Sequence, residues 1–422
     1  MGWWLASGPR LRALCFLQRD GQMPRNVVVL FIVCVGYGFC TGLFDFAVPF
    51  YLREQGYSFA GIGWIFSLSA LAIFFLRVYL ARLSDLVGRK ALYVGSLALT
   101  SISYLAFPFT RGLGGIAGVR TGTQLSLSVR ETMHATALYE SQRHGYLGLQ
   151  GKTRGVEMLF MAAGTLAAGY LIANYFVAFA VPCAVMLVTT VVFAAWFAEP
   201  RELAARRGAG ASLARLLTAS FPREIKVLAL TGFIFGVAIS ASHRYIPVLF
   251  FEQKFGLSRP AIARIQLVHV LSHVPGLFLV GWVVKRRLRS VFFWALLVEG
   301  VLIALVGCFR GLAPTLVFWW THDIVGAGLW APIQWALIQR FARDDSRGLD
   351  ASVVPAVTAL GYILGPLLAG YLAELRAVPF TSRSLTAGQA VSLPMIASGA
   401  IILIAALPLL WLPRDPAPES RP

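Results

Sequence analysis

Apolar stretches of about 20 residues succeed one another from Asn26 to Leu412, separated mostly by short charged turns. A helix of that length crosses the hydrocarbon of a bilayer. Unpaired peptide groups cost several kcal/mol each there, so only helices and closed barrels span it. The clearest turn is residues 81–90, Ala-Arg-Leu-Ser-Asp-Leu-Val-Gly-Arg-Lys, between apolar runs from Gly61 to Leu80 and from Ala91 to Phe109. Windows of spanning length fall near 26–52, 60–80, 91–109, 115–134, 154–174, 177–198, 226–250, 262–284, 291–309, 314–337, 351–373 and 391–412. They predict an all-α polytopic membrane protein with twelve transmembrane helices. With 58% hydrophobic and 13% charged residues, a chain of 422 residues does not fit one water-soluble core.

The formal net charge of +18 invites a nucleic-acid partner, but the placement of the basic residues gives another reason for it. Lys and Arg gather on the cytoplasmic side of helical membrane proteins. Here they cluster at Arg201, Arg206 and Arg207, at Lys285, Arg286, Arg287 and Arg289, and in the 81–90 hairpin, all on one face of the predicted topology. No nucleic-acid partner is expected, both termini are placed in the cytoplasm, and the expected location is a bacterial inner (plasma) membrane. Cys15, Cys34, Cys40, Cys183 and Cys308 are scattered without a CxxC pair and are expected to be reduced.

The chain divides at a basic stretch. Residues 1–24 are expected to be a cytoplasmic tail, with Met23 an alternative start. Residues 25–198 and 225–412 each supply six windows, 199–224 forms a basic cytoplasmic linker, and 413–422 forms a second tail. The halves repeat one another: Gly38, Gly42, Asp45 and Pro49 recur at the same spacing as Gly236, Ser240, His243 and Pro247. Gly164, Gly169, Tyr170 and Leu171 likewise recur as Gly365, Gly370, Tyr371 and Leu372. Spacings of three and four place each first set on one helical stripe. Two parallel repeats predict two pseudo-symmetric six-helix bundles around a central cavity.

On these residues the chain resembles the major facilitator superfamily from Arg25 to Pro413. The 81–90 hairpin is similar to the family's loop signature between its second and third helices, with Ala81 where Gly is usual. Arg120 and Gln124 resemble the family's helix-four motif, and Gly361, Gly365, Pro366 and Gly370 its Gly-Pro-rich helix motif. The resemblance implies alternating access and a conformational latch formed by Asp85, Gly88, Arg89 and Lys90, with Gly88 allowing a tight turn.

Ionisable groups inside spans cost on the order of 2 to 4 kcal/mol on insertion scales, so each is a candidate site. Asp45, Arg120, His243, Arg244, His269, His273, His322 and Asp323 form the expected substrate and coupling set, with Glu299 a further acid inside a span. Asp45 and His243 occupy equivalent positions in the repeats and are predicted to act as a proton-responsive pair, or as a static pair that orients the helices. His269 and His273 are four apart on one helical face, a spacing that suits a metal ion. The alternative is that both imidazoles line the cavity and hydrogen-bond a solute.

No GxSxG or GxxxxGK[ST] motif is present, so neither an enzyme nor an ATP-driven pump is expected, and no cofactor. The expected function is secondary active transport of a small solute, driven by an ion gradient, with H+ the expected ion and the chain acting as a monomer in the lipid bilayer. The alternatives are a divalent transition-metal (iron) transporter of the same fold and a non-transporting membrane receptor or assembly factor.

Overall fold

The computed structural model describes residues 25–87, 89–141, 146–198, 220–283, 287–343, 347–377 and 384–414, which are almost wholly helical. The first half contains α1 (Arg25–Glu54), α2 (Phe59–Val87), α3 (Arg89–Ala106), α4 (Leu113–Ser141), α5 (Tyr146–Leu171) and α6 (Tyr175–Trp196). The second contains α7 (Arg223–His243), α8 (Ile246–Phe255), α9 (Arg259–Val283), α10 (Leu288–Cys308), α11 (Leu312–Val325), α12 (Ala327–Phe341), α13 (Arg347–Ala373), α14 (Ala387–Ala390) and α15 (Leu393–Ala406). The expected tails and central linker lie largely outside the described residues.

Among the described residues, eight segments are long and apolar enough to cross a bilayer: α1, Phe59–Leu76, Lys90–Phe109, α6, α7, α10, Ser352–Ala373 and Ala387–Trp411. The windows at 115–134, 154–174, 262–284 and 314–337 also fold as helices. The polar groups on α4, α5 and α9 are turned inward: Arg120, Arg130, Glu157 and His269 are all buried. Their side chains face protein, where hydrogen bonds and ion pairs compensate for lost water.

Two expected continuous spans are interrupted. The window at 226–250 breaks after His243, with Arg244 and Tyr245 between α7 and α8. Proline lacks an amide hydrogen and its ring clashes with the carbonyl four residues earlier, so Pro247 at the start of α8 disfavours continuation through His243. The window at 314–337 breaks at Gly326, whose φ and ψ of −72° and −93° lie outside the helical region.

The repeats are visible in the packing. A Cβ on Gly38, Gly42 or Gly164 would fall against the backbone carbonyl of Glu157, Met161 or Phe39, so glycines set the close approach of α1 to α5. In the second half Gly236 meets the Thr358 carbonyl and Gly361 the Phe233 carbonyl, bringing α7 onto α13 in the same way. Small residues let membrane helices gain van der Waals contact that water expulsion does not supply in lipid. Between the halves, α2 packs on α13 and α5 on α9. Gly370 lies against Phe59 and Ala60, and Gly169 against Pro260 and Ala263.

Candidate functional site: an arginine-lined cavity and a histidine cluster

A narrow polar cleft lies between the bundles, lined by Phe66, Ala70, Arg120, Gln124, Arg244, Tyr362 and Pro366. Arg120 and Gln124 are one turn apart on α4 and share a face. The Arg120 guanidinium is 3.5 Å from the centroid of the Phe66 ring, and its Nη1 is 3.7 Å from Asp45 Oδ1. That separation is an ion-pair contact and exceeds hydrogen-bond range. The buried Nη1 makes no hydrogen bond. Arg244 comes from the opposite bundle, in the break between α7 and α8, and its guanidinium is 5.1 Å from the Tyr362 ring centroid. The cavity thus holds two guanidiniums on aromatic faces with one carboxylate beside them. An anion supplies the charge and the acceptor atoms that this arrangement lacks.

One end of the cavity is bridged. The Tyr245 hydroxyl donates to the carbonyls of Phe59 at 3.1 Å and Pro366 at 3.0 Å. Above it the Ala60 amide donates to Glu374 Oε1 at 3.1 Å, Trp64 Nε1 donates to the Tyr371 hydroxyl at 3.2 Å, and Arg259 pairs with Glu54. These contacts join the bundles at the end that carries the α1–α2 and α8–α9 turns. Of the expected latch at the other end, Gly88 and the side chains of Asp85 and Arg89 lie outside the described residues, and Lys90 is half-buried.

The remaining expected site residues meet inside the second bundle. His243 Nε2 is 2.9 Å from His322 Nε2. Asp323 is 1% exposed, with Oδ2 2.8 Å from His269 Nδ1 and Oδ1 3.5 Å from both His273 Nε2 and His322 Nε2. Trp319 stacks on His269 with centroids 4.1 Å apart. Glu299 is buried against Gly326, where a Cβ would collide with its carboxylate. His243 therefore finds its partner in His322, and Asp45 finds its partner in Arg120.

Sequence reasoning passed over a second buried network. Glu157 accepts from Arg130 Nη1 and Nη2 at 3.2 and 2.9 Å and from Arg154 Nη1 at 2.8 Å. Nearby, the Tyr93 hydroxyl is 3.1 Å from His134 Nδ1. The signal was available: Arg130 and Glu157 are ionisable residues inside the windows at 115–134 and 154–174. The missed Tyr245 bridge had no comparable signal, because its acceptors are backbone carbonyls.

Two bundles enclosing a polar cavity define a membrane solute carrier. The profile of the Major Facilitator Superfamily matches residues 30–267 and 228–422, and the chain belongs to that family. It is 25% identical over 329 residues to the 3-(3-hydroxy-phenyl)propionate transporter of Escherichia coli (strain K12), covering 74% of this chain and 78% of that protein. Its fold is similar to a mutant of the nucleoside transporter NupG, with a TM-score of 0.76 and 12% identity over 91% of this chain and 99% of the other. It is also similar to a bacterial homologue of the human lysosomal transporter Spinster in an inward-facing, occupied conformation, with a TM-score of 0.70 and 13% identity over 93% and 97% of the two chains. The protein is a transporter and not an enzyme.

Proposed function

We propose that this carrier moves a small organic anion, of the aromatic carboxylate class, together with a proton by alternating access in an inner or plasma membrane. The observation that carries the reading is Arg120: a buried guanidinium whose Nη1 makes no hydrogen bond and only a 3.7 Å ion-pair contact with Asp45, beside a cleft that Arg244 lines from the other bundle. A carboxylate takes bidentate hydrogen bonds from a guanidinium. The apolar share of the lining, Phe66, Ala70, Tyr362 and Pro366, suits an aryl ring on the same molecule once the cleft widens in the transport cycle. The E. coli relative bears the name of an aromatic carboxylate, which supports the same class.

Asp45 supplies the coupling. Ionised, it neutralises Arg120 in the empty carrier. When the substrate carboxylate takes its place at Arg120, Asp45 accepts a proton, so anion and proton enter the cavity together. The bridged end around Tyr245 and Glu54–Arg259 then corresponds to the outside, closed while the cavity opens inward. This orientation follows from the placement of Lys and Arg.

Substrate class is tested with purified protein by thermal unfolding, since a ligand of the folded state raises apparent stability. An arylpropionate is expected to stabilise saturably, and its neutral amide and a nucleoside are not. Equal stabilisation by the acid and its amide, or stabilisation by the nucleoside alone, refutes the anion reading.

A further inference from the structure

The cluster in the second bundle has an excess of acceptors. A backbone carbonyl only accepts, so His322 Nδ1, 3.3 Å from the Phe318 carbonyl, carries its hydrogen and Nε2 keeps a lone pair. Ser242 Oγ donates to the Ala238 carbonyl at 3.2 Å and accepts from His243 Nδ1 at 2.7 Å, so His243 Nε2 also keeps a lone pair. These two lone pairs face one another at 2.9 Å. His273 Nδ1 donates to the Val270 carbonyl at 3.1 Å, which turns a third lone pair, on Nε2, toward Asp323 Oδ1 at 3.5 Å. Asp323 Oδ2 approaches His269 Nδ1 but forms no hydrogen bond, because that nitrogen is directed at the Trp319 carbonyl, 3.3 Å away. Acceptors this close in a buried site repel one another until a cation lies among them.

We infer that His243, His269, His322 and Asp323 form a site for one divalent transition-metal ion of the zinc and cobalt class. Each of the four offers a ligand atom, and these atoms lie within 4.8 Å of one another. Around an ion with bonds of about 2.1 Å, adjacent ligand atoms stand roughly 3.0 to 3.4 Å apart, close to the 2.9 and 3.5 Å separations seen here. Imidazole nitrogens with one carboxylate oxygen suit zinc, cobalt and iron rather than magnesium or calcium. The bonds from the Nδ1 atoms of His243 and His322 fix ring orientation and tautomer, the role that outer-shell partners play at metal centres.

A proton shared by His243 and His322 relieves one confrontation and leaves Asp323 Oδ2 without a hydrogen bond. A metal ion answers both. The ion is not the cargo: His322 is 0% and Asp323 1% exposed, inside one bundle rather than in the cavity between the two. It fastens α7, α9 and α11 together one residue away from Arg244, so zinc is expected to slow transport by holding the α7–α8 break. The site itself does not depend on the anion-carrier reading.

The test uses the full chain, purified through a histidine-free tag, stripped of metal and titrated with Co(II) at neutral pH. The wild type is expected to bind one equivalent saturably, with the intense visible absorption of a four-coordinate ion that Zn(II) displaces. His322→Gln and Asp323→Asn are each expected to weaken binding at least about tenfold. Asp323→Asn keeps the size of the side chain and serves if the histidine variant does not fold. Arg120→Gln, in the cavity, is expected to bind cobalt like the wild type even where it abolishes anion binding. Absence of saturable binding by the wild type, undiminished binding by folded Asp323→Asn, or equal loss in Arg120→Gln overturns the site.

Discussion

Asp45 and Arg120 stand 3.7 Å apart across α1 and α4, with the arginine side chain 3% exposed and the carboxylate 45% exposed. The pair is asymmetric: the cation is fixed in the protein while the anion can be reached by water and protons. A buried cation left with a distant, accessible counter-ion is ready to exchange that counter-ion for another carboxylate.

The bridged end gives a comparison of magnitudes. Glu54–Arg259 is a partly exposed pair, and such pairs contribute about 0 to 1 kcal/mol, so Glu54→Gln is expected to shift the balance of carrier conformations less than about fivefold. Tyr245→Phe strips a hydroxyl from two buried carbonyls and is expected to cost about 1 to 3 kcal/mol, a shift of roughly five- to 150-fold toward the form open at that end. Spin-label distances between the α1–α2 and α8–α9 turns measure both. A larger effect from Glu54→Gln than from Tyr245→Phe contradicts this ranking.

Glu157 holds the first bundle together from within. Removing it takes the bidentate carboxylate away from the buried guanidinium of Arg130, so Glu157→Leu is expected to destabilise by about 3 to 5 kcal/mol. The double change Arg130→Met with Glu157→Leu removes both charges and is expected to recover most of that loss. Thermal unfolding of the three purified proteins reads the effect; equal destabilisation by single and double variants counts against a charge origin.

Glycines at helix contacts differ from glycines elsewhere. Gly361→Ala drives a methyl into the backbone of α7 and is expected to cost about 1 to 3 kcal/mol. Gly95 has nothing within 4 Å of its added Cβ, and Gly95→Ala is expected to be neutral or slightly stabilising. Unfolding midpoints of the two variants separate these cases.

Orientation has its own check. Cysteines introduced as Gly210→Cys in the linker and Pro418→Cys in the tail are expected to escape impermeant labels applied outside the cell, as the placement of Lys and Arg requires. Labelling of either from outside reverses the assignment of the bridged end.

Much of this architecture was legible because it rests on local chemistry and periodicity. Apolar windows announce helices, and the repeated Gly38/Gly236 and Gly164/Gly365 positions announced the two glycine-mediated helix pairs. The residues of the site were legible too, since an ionisable side chain in a span is costly wherever it points. Their partners were not. Equivalent positions in two repeats suggested that Asp45 would face His243, but symmetry sets depth along a helix and not which neighbour a side chain meets. The α1–α4 contact gave Asp45 to Arg120, and the α7–α11 contact gave His243 to His322. The break at Arg244 had a local sign in Pro247, yet the equivalent Pro49 leaves α1 continuous, so proline alone did not decide it.

The account rests most heavily on the exchange of carboxylates at Arg120, and uptake of a labelled arylpropionate into proteoliposomes under an inward proton gradient tests it directly. The wild type is expected to accumulate the acid above its equilibrium level. Asp45→Asn is expected to lose that accumulation while retaining exchange of internal for external substrate, and Arg120→Gln to lose both, with binding weakened about 10- to 150-fold, as expected for losing a hydrogen bond to a charged group worth about 1.5 to 3 kcal/mol. Gradient-driven accumulation by Asp45→Asn equal to the wild type, or undiminished transport by Arg120→Gln, contradicts the account.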